Sequence, residues 1–498
     1  FVIIIGESIM DENNDNSNQI SNDNHKIPEE RLQETSHSVT INGKKISYTA
    51  HAGTMLIKKE EDEKAPKATA EVFYVSYTMD DQNPSDRPIT YIFNGGPGSS
   101  SVWLHLGLYG PKRVISEKDE KAIPPPYQLV DNEYSLIDKT DMVFIDPVST
   151  GWSRAVPGEK AEQFHSFEND LESVGEFIRQ FTSRYNRWSS PKYLAGESYG
   201  TTRAAGLSGL LHMKHGLYLN GIMLISSVLN FQTLRFSTGN DLPNILYLPT
   251  YTATAWYHNK LSDVLMNKSI EEVVEESRQF ALNEYAPALM LGDRIIDDSK
   301  KYDDLCDKLS YYTGINTEYI KQTNLRIEIN RFVKELRRTE RITVGRLDSR
   351  FTSHDRTSIG EMNEFDPSYA AIQGPYTATF NDYITRQLQF ENDLSYNILA
   401  NLYETWKYDK QQNQYLDASE TLRKSLNYNP SMKIFVANGY YDLATPFFAT
   451  EYTMDHLQIE PHLRNNLQME YYDAGHMMYL KEDCLKKLKV DLDRFYSL

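Results

Sequence analysis

The chain has 498 residues, a formal net charge of −18 and a pI of about 5.2, and 40% of its residues are hydrophobic. At roughly 150 residues per domain this length allows about three units, and the composition is that of an ordinary soluble protein. An acidic surface repels phosphate backbones, so we expect no nucleic-acid partner, and no apolar run approaches the roughly 20 residues of a membrane span.

The first 35 residues are predicted to form a disordered leader. Residues 11–24 are almost entirely Asn, Asp and Ser, and they lack the apolar surface that folding needs. The apolar start at residues 1–5 has two interpretations, the remnant of a signal segment or an artificial chain end. The two cysteines, Cys306 and Cys484, leave both their pairing and the redox compartment open.

Five short apolar runs predict buried strands. Each run is continuous rather than alternating and is closely followed by Gly, Asp, Asn or Ser, which suits parallel strands covered on both faces. The runs are residues 89–93, 142–145, 193–195, 222–228 and 433–436. Helical patterns lie between them, and the apolar positions of residues 167–181 form one stripe. The alternation predicts an α/β fold with a doubly wound, mostly parallel central sheet.

Between residues 232 and 370 the sequence becomes charged and helical. Residues 269–272 form a capping box before an apolar helical stripe, and residues 325–339 predict a basic amphipathic helix. Strand patterns flank this segment on both sides. We therefore predict a core formed by residues 36–231 and 371–498, with residues 232–370 inserted as a helical cap over one end of the sheet. A separate domain that only shares the chain is the alternative.

The motif G-E-S-Y-G at residues 196–200 has the G-x-S-x-G form of a nucleophile elbow. A strand pattern precedes it, and residues 202–213 predict a helix after it. The chain must turn sharply between the two, and a Cβ on either glycine would crowd the backbone. Such a turn lifts the hydroxyl of Ser198 to the top of the sheet, and we predict that Ser198 is a catalytic nucleophile.

Two later stretches supply an acid and then a base, which is the order of the triad in α/β-hydrolases. K-I-F-V-A-N-G-Y-Y-D ends at Asp442, and Q-M-E-Y-Y-D-A-G-H ends at His476, each just beyond a strand pattern. Asp473 is a rival acid, but it is so close to His476 in sequence that it should remain at the strand end. His212 and His215 have no carboxylate or cysteine at ligand spacing, so we predict neither a metal nor a cofactor.

The glycine-rich loop N-G-G-P-G-S-S-S at residues 94–101 follows the first of the five predicted strands. A phosphate-binding loop would continue with Lys and then Ser or Thr at P-loop spacing, which this loop does not. The alternative is an oxyanion hole, in which one N–H group comes from such a loop and one from the residue after the nucleophile. This nominates the N–H groups of Gly96 and Tyr199, and losing one such donor typically costs about 3–4 kcal/mol of transition-state stabilisation.

Together these motifs resemble those of the serine carboxypeptidases. The similar blocks are N-G-G-P-G-S-S-S, D-P-V-S-T-G-W-S at residues 146–153, G-E-S-Y-G, G-Y-Y-D ending at Asp442, and A-G-H-M ending at Met477. The resemblance implies an α/β-hydrolase fold with a helical insertion. It also implies a serine-type exopeptidase that acts on peptide C-termini with Ser198, Asp442 and His476 as its triad.

The same resemblance assigns residues to the substrate. Asn94 and Glu197 would bind its terminal carboxylate, Gly95 would belong to the same binding loop, and Met477 would line the pocket of the leaving residue. In the family the glutamate before the nucleophile pairs with a second glutamate, and this like-charge pairing raises the pKa that keeps one carboxyl protonated. The present chain has Leu108 at the second position. Acidic-pH preference and strict carboxypeptidase specificity therefore stay open.

Three functions are compatible with these residues. The exopeptidase is favoured, an esterase, acyltransferase or other exopeptidase on the same triad is the alternative, and a non-catalytic binding protein with a retired hydrolase fold comes last. Ser99 stands where the family has a cysteine, and Asn267 begins the one N-x-S/T sequon. We therefore expect a bacterial-type member that is secreted or periplasmic. The substrate would be a peptide or small acyl compound, and neither a monomer nor a homodimer is favoured.

Overall fold

A computed structural model describes residues 26–60, 65–115, 121–408 and 410–497 of the chain. Most of the predicted leader, residues 1–25, lies outside this part. The predicted leader boundary at residue 35 does not match the structure, because the first strand begins at Leu32. Its residues pair one by one with the following strand, from Leu32 opposite Gly53 to Ile41 opposite Lys44, so backbone hydrogen bonds order this mostly polar segment.

A ten-stranded sheet runs through the centre of the molecule, in the order β1-β2-β3-β7-β4-β9-β10-β13-β14 with β8 beside β3. The strands of the described residues are β1 Leu32–Ile41, β2 Lys44–Lys59, β3 Lys67–Met79, β4 Ile89–Phe93, β5 Lys112–Val114, β6 Leu129–Asp131, β7 Asp141–Ile145, β8 Arg154–Ala155, β9 Lys192–Ser198, β10 Gly221–Ser227, β11 Thr343–Val344, β12 Thr352–Ser353, β13 Lys433–Gly439 and β14 Leu467–Tyr472. From β7 to β14 all neighbours in the sheet are parallel, whereas β1, β2 and β3 form an antiparallel edge.

Helices cover both faces of this sheet. The α-helices of the described residues are α1 Val102–Leu104, α2 Phe167–Arg184, α3 Tyr199–His215, α4 Leu242–Tyr257, α5 Asp263–Met266, α6 Ile270–Phe280, α7 Ala286–Leu289, α8 Ser299–Thr313, α9 Thr317–Gln322, α10 Ile329–Glu335, α11 Pro367–Arg386, α12 Ser419–Tyr428, α13 Phe447–Asp455 and α14 Glu482–Phe495. On one face α2, α3 and α12 contribute to a hydrophobic core, and on the other face α11 and α14 do.

The central strands are buried on both sides, as continuous apolar runs require. In β10, Met223 and Ile225 belong to one core, and Ile222 and Leu224 belong to the opposite one. All five apolar runs form strands of this sheet. The prediction of an α/β fold with a doubly wound, mostly parallel sheet is confirmed.

A third hydrophobic core is built mainly from helices of the inserted segment, α4, α6, α8 and α10, and residues 440–449 at the end of β13 and the start of α13 also contribute to it. The predicted capping box is present, since the Ser269 hydroxyl accepts from the Glu272 N–H and the Glu272 carboxylate accepts from the Ser269 N–H. The helix predicted over residues 325–339 is shorter, Ile329–Glu335. Asn324 and Leu325 have positive φ angles of 51° and 66°, which an α-helix does not accommodate.

The predicted end of the insertion at residue 370 falls inside α11. Tyr376, Phe380 and Tyr383 of this helix belong to the core on one face of the sheet rather than to the core of the insertion. Apolar contact with the sheet therefore makes α11 part of the central layers.

Cys306 and Cys484 are both free and buried. None of the helices in the described part of the chain combines the length and the apolar character that a membrane span requires. The secreted or periplasmic location stays a prediction.

Candidate active site

Ser198 lies where β9 ends and α3 begins, and its backbone is strained. Its φ of 60° and ψ of −129° are rare for a residue with a side chain. The flanking glycines make this turn feasible. A Cβ on Gly196 would lie 2.1 Å from the Gly200 oxygen, and one on Gly200 would lie 2.8 Å from the Phe93 oxygen. The sharp strand-to-helix turn predicted from G-E-S-Y-G is thus present.

Asp442 and His476 follow β13 and β14, two neighbouring parallel strands of the sheet. Nδ1 of His476 lies 2.7 Å from Oδ2 of Asp442, and both side chains are almost completely buried. The other carboxylate oxygen accepts from the N–H groups of Ala444 and Thr445, at 2.8 and 3.0 Å. Asp473, the rival acid, instead accepts from the Tyr441 hydroxyl and pairs with Lys481 at the surface.

The environment of His476 has opposing effects on its pKa. Burial lowers this pKa, and the Asp442 carboxylate raises it both by charge and by its hydrogen bond. The net result is a pKa above the ordinary histidine value. Because Nδ1 of His476 is hydrogen-bonded to Asp442, Nε2 is the ring nitrogen that is available to accept a proton in the cavity.

The glycine-rich loop lies directly against the elbow. A Cβ on Gly95 would be 2.4 Å from the Tyr199 nitrogen, and Gly96 has a φ of 103° that favours glycine. Asp146, in the D-P-V-S-T-G-W-S block, accepts from the N–H and the hydroxyl of Ser101, both at 2.8 Å. These contacts bring the loop backbone close to Ser198.

Glu197 is buried and accepts hydrogen bonds on both carboxylate oxygens. Asn94 Nδ2 donates to Oε1 at 2.8 Å, and the Tyr479 hydroxyl donates to Oε2 at 2.7 Å. Burial raises the pKa of Glu197 to about 7, although nearby His476 and the two hydrogen bonds act in the opposite direction. Leu108 is fully buried in an apolar core. Among the described residues, the group that hydrogen-bonds Oε2 of Glu197 is the Tyr479 hydroxyl and not a second carboxyl group.

A cavity of about 680 Å³ joins these groups, a size typical of small-molecule sites. Of the nine residues assigned to the site from sequence, seven line this cavity, namely Asn94, Gly95, Gly96, Glu197, Ser198, His476 and Met477. Asp442 lies behind His476, and the Tyr199 ring is buried against Phe231 and Trp406. Ser198 and His476 thus share one cavity with the loop at residues 94–96.

Three further residues support this arrangement, and sequence reasoning missed them. Tyr479 follows His476 by three residues and hydrogen-bonds Glu197. Its position shortly after the A-G-H-M motif was the sequence signal that could have placed it at the site. Thr445 Oγ1 donates to Asp442 Oδ2 at 2.6 Å. Arg203 pairs with Asp170 and donates to the Asn94 carbonyl at 2.6 Å. For Thr445 and Arg203 no sequence motif indicates the partner.

Comparison with known proteins agrees with these observations. A family model described as Serine carboxypeptidase matches residues 44–490. The pheromone-processing carboxypeptidase KEX1 of Saccharomyces cerevisiae is 32% identical over 157 residues, which is 30% of this chain and 20% of that protein. Serine carboxypeptidase-like 5 of Arabidopsis thaliana is 30% identical over 158 residues, 31% of this chain and 33% of that protein. The chain thus matches a fifth to a third of the length of these curated relatives.

Solved structures are more distant. The peroxisomal alpha-beta-hydrolase Lpx1 of Saccharomyces cerevisiae has a TM-score of 0.34 and 10% identity, with 94% of this chain and 89% of that chain covered. A thermostable carboxyl esterase from Bacillus coagulans has a TM-score of 0.35 and 11% identity, with 89% and 98% covered.

Proposed function

Because the chain belongs to the serine carboxypeptidase family, we propose that it is a serine-type exopeptidase that removes C-terminal residues from peptides. The observation that carries this proposal is the shared cavity of Ser198, His476 and Glu197, with Asp442 bonded to the histidine. A buried carboxyl group beside the nucleophile is unnecessary for acyl transfer itself. It is well suited to a substrate that ends in a free carboxylate.

The proposed reaction has two acyl-transfer steps. His476 takes the proton of Ser198 through Nε2, and the serine oxygen attacks the carbonyl of the last peptide bond. The N–H groups of Gly96 and Tyr199 stabilise the oxyanion. His476 then protonates the departing amino acid, and water activated by the same histidine releases the shortened peptide.

Recognition of the substrate carboxylate is assigned to Asn94 and Glu197. Glu197 attracts a carboxylate only while it is protonated, since two ionised carboxylates repel each other. The raised pKa of about 7 keeps this group largely neutral below neutral pH. Met477, which lines the same cavity, is assigned to the pocket of the leaving residue.

An esterase, acyltransferase or other exopeptidase on the same triad is the second candidate. The observation that favours it is the Tyr479 hydroxyl, which already occupies one oxygen of Glu197. If that bond persists with substrate bound, Glu197 has one oxygen fewer for a terminal carboxylate. Such an enzyme would cleave esters or amides at least as well as peptides with a free C-terminus.

Hydrolysis of an N-blocked dipeptide acid and of its C-terminal amide separates the two candidates. We expect the acid to be cleaved with the higher kcat/KM, and equal or faster cleavage of the amide would overturn the carboxypeptidase proposal. Ser198→Ala should reduce kcat by a factor on the order of 10⁶ and should abolish labelling by a fluorophosphonate. Folded wild-type protein that the fluorophosphonate fails to label at Ser198 would favour a non-catalytic binding protein.

A further inference from the structure

The loop between β11 and β12, residues 345–351, comes from the inserted segment and contacts both loops that carry the acid and the base. On the acid side, the Arg346 carbonyl accepts from the Leu443 N–H at 3.1 Å, and the Ser349 N–H donates to the Tyr441 carbonyl at 3.0 Å. These two hydrogen bonds involve the residues immediately before and after Asp442. The backbone of the acid is therefore held from both sides by this loop.

The same loop also holds the backbone of the base. The Leu347 carbonyl accepts from the His476 N–H at 2.7 Å, and Asp348 Oδ2 accepts from the Gly475 N–H at 3.1 Å. Contact between the loop and Gly475 is close, since a Cβ on this glycine would lie 2.5 Å from the Asp348 Cβ. Of the four consecutive residues 346–349, the outer two thus hydrogen-bond the loop of Asp442 and the inner two hydrogen-bond the loop of His476.

Asp348 is fixed within this loop by Arg350. The Arg350 guanidinium donates from Nε to Oδ1 at 2.9 Å and from Nη2 to Oδ2 at 2.6 Å, and the two side chains are 2% and 3% exposed. Arg350 Nη1 also donates to the Asp473 carbonyl at 3.4 Å, in the turn before His476. A bidentate, buried pair of this kind restricts the carboxylate to one orientation.

The loop is in turn attached to the helical insertion. The hydroxyls of Thr254, in α4, and Ser349 lie 2.7 Å apart, and Nε2 of His258, at the end of α4, lies 2.7 Å from the Ser349 carbonyl. A continuous chain of hydrogen bonds therefore leads from α4 through Ser349 to Tyr441, beside the acid.

We propose that the β11–β12 loop, through Asp348, positions His476 against Asp442, so that the insertion sets the geometry of the catalytic pair. This inference rests on the proposed function, because it assigns that pair to catalysis. Asp348 is a positioning residue, since it touches Gly475 and Arg350 and does not line the cavity of Ser198. Misplacing a catalytic group by about 1 Å can reduce the rate by up to about 100-fold.

A purely structural role for Asp348 predicts a loss of stability without a specific loss of turnover. The insertion provides a matched control in the Lys334–Asp355 pair, whose side chains are each 2% exposed and which lie 2.6 Å apart. Asp355 bonds Lys334 and Thr343 but neither catalytic loop. Asp348→Asn and Asp355→Asn therefore remove equally buried charges with the same chemical change.

The test compares these two variants as folded full-length proteins at a temperature where both are native. For Asp348→Asn we expect kcat to fall by about 10–100-fold with KM changed by less than about threefold, and fluorophosphonate labelling to slow in parallel. Asp355→Asn should keep wild-type kcat per folded molecule. Equal kcat values for the two variants would overturn the proposal.

A milder substitution covers the case in which Asp348→Asn does not fold. Thr254→Val removes one hydroxyl from the α4 contact with little change in shape, and it should lower kcat several-fold without a comparable change in KM. Wild-type kcat in Thr254→Val would then count against the proposal.

A second readout separates this proposal from the proposed function. The proton shared by His476 Nδ1 and Asp442 gives a low-field NMR signal that requires no substrate. If the wild type cleaves neither dipeptide, the exopeptidase proposal fails. The positioning proposal still holds if Asp348→Asn shifts or broadens this signal and Asp355→Asn does not, and it fails if both leave the signal unchanged.

Discussion

At the scale of single residues, we expect Glu197 to determine how the site responds to pH. Its side chain is buried at the wall of the cavity, and burial is the largest influence on its pKa, which it raises to about 7. Asn94 and Tyr479 oppose this by donating hydrogen bonds that favour the ionised form. The Glu197 carboxyl group therefore changes charge close to neutral pH.

This predicts a pH dependence that differs between substrates. Below about pH 7 Glu197 is protonated and can donate to a substrate carboxylate, and above it the ionised group repels that carboxylate. The ratio of kcat/KM for the dipeptide acid to kcat/KM for its amide should therefore fall as pH rises through about 7. Taking the ratio cancels the titration of His476, which both substrates share.

Two variants check the origin of that fall. Glu197→Gln should make the ratio independent of pH, because the amide does not ionise. Tyr479→Phe removes a hydrogen bond that favours the ionised form, so the fall should move to higher pH by about one unit. Tyr48→Phe changes a buried tyrosine of β2 that does not line the cavity; it is the control and should leave the profile unchanged. A pH-dependent ratio that persists in Glu197→Gln would assign the titration to another group.

At the scale of helices and strands, Arg203 connects three elements around the elbow. It projects from α3, forms a buried pair with Asp170 of α2, and donates to the Asn94 carbonyl at the end of β4. Its guanidinium also lies over the rings of Phe93 and Tyr199. The helix that follows Ser198 is thereby fixed relative to the glycine-rich loop.

Breaking this pair should destabilise the protein strongly. Arg203→Met keeps much of the side-chain volume but leaves Asp170 buried without its cation, which typically costs about 3–5 kcal/mol. We expect a large decrease in the urea midpoint. The matched control is Arg386→Met, which breaks an exposed pair with Asp382 and should change the free energy of unfolding by less than about 0.5 kcal/mol. Similar midpoints for the two variants would contradict a structural role for Arg203.

The elements that the sequence predicted are those with a strong local pattern. The five parallel strands are continuous apolar runs because both of their faces are covered. The turn at G-E-S-Y-G could be predicted because its close backbone contacts leave no room for a Cβ at residues 196 and 200. The antiparallel strands β1, β2 and β3 were not predicted. Polar residues interrupt most of β1 and β2, whereas the apolar run at residues 72–75 of β3 was an available signal. The β11–β12 loop was not predicted either, because its function depends on contacts with residues about 100 positions away.

The site follows the same rule. Ser198, Asp442 and His476 could be proposed from the sequence because each ends a strand pattern in a recognisable motif. Tyr479 and Arg203 could not, because their importance lies in a buried partner, Glu197 for one and Asp170 for the other. Local sequence indicates the candidate reactive groups, whereas the residues that contact and support them are recognised only in the tertiary fold.

At the scale of the whole molecule, the charge of the cavity differs from that of the protein. The chain carries a net charge of −18, yet Arg235 and Arg346 both line the cavity of Ser198. Its acidic lining residues are Asp366 and Glu197. Asp366 accepts from the N–H groups of Arg346 and Leu347, and Glu197 is largely neutral below about pH 7. Below about pH 7 the cavity lining therefore has two arginines and, with Glu197 neutral, one acidic side chain, Asp366, so positive charge is in excess there.

This charge difference predicts a preference for acidic substrates that depends on Arg346. We compare two blocked dipeptide acids that differ only in Glu or Gln before the scissile bond. An exposed ion pair is worth about 0.2–1 kcal/mol, so Arg346→Gln should lower the Glu-to-Gln ratio of kcat/KM by up to about fivefold. Salt screens exposed charges, so the wild-type ratio should also fall with ionic strength while that of Arg346→Gln stays nearly constant.

The controls separate this local effect from the net charge of the protein. Arg386→Gln makes the same change in net charge at an exposed site on α11 outside the cavity, so it should keep the wild-type ratio. Arg346→Glu should favour the Gln substrate, because the sign of the local charge is reversed. If Arg386→Gln lowers the ratio as much as Arg346→Gln does, the preference arises from the overall field of the molecule and not from the cavity. An unchanged ratio in Arg346→Glu would mean that the substrate side chain does not approach this arginine.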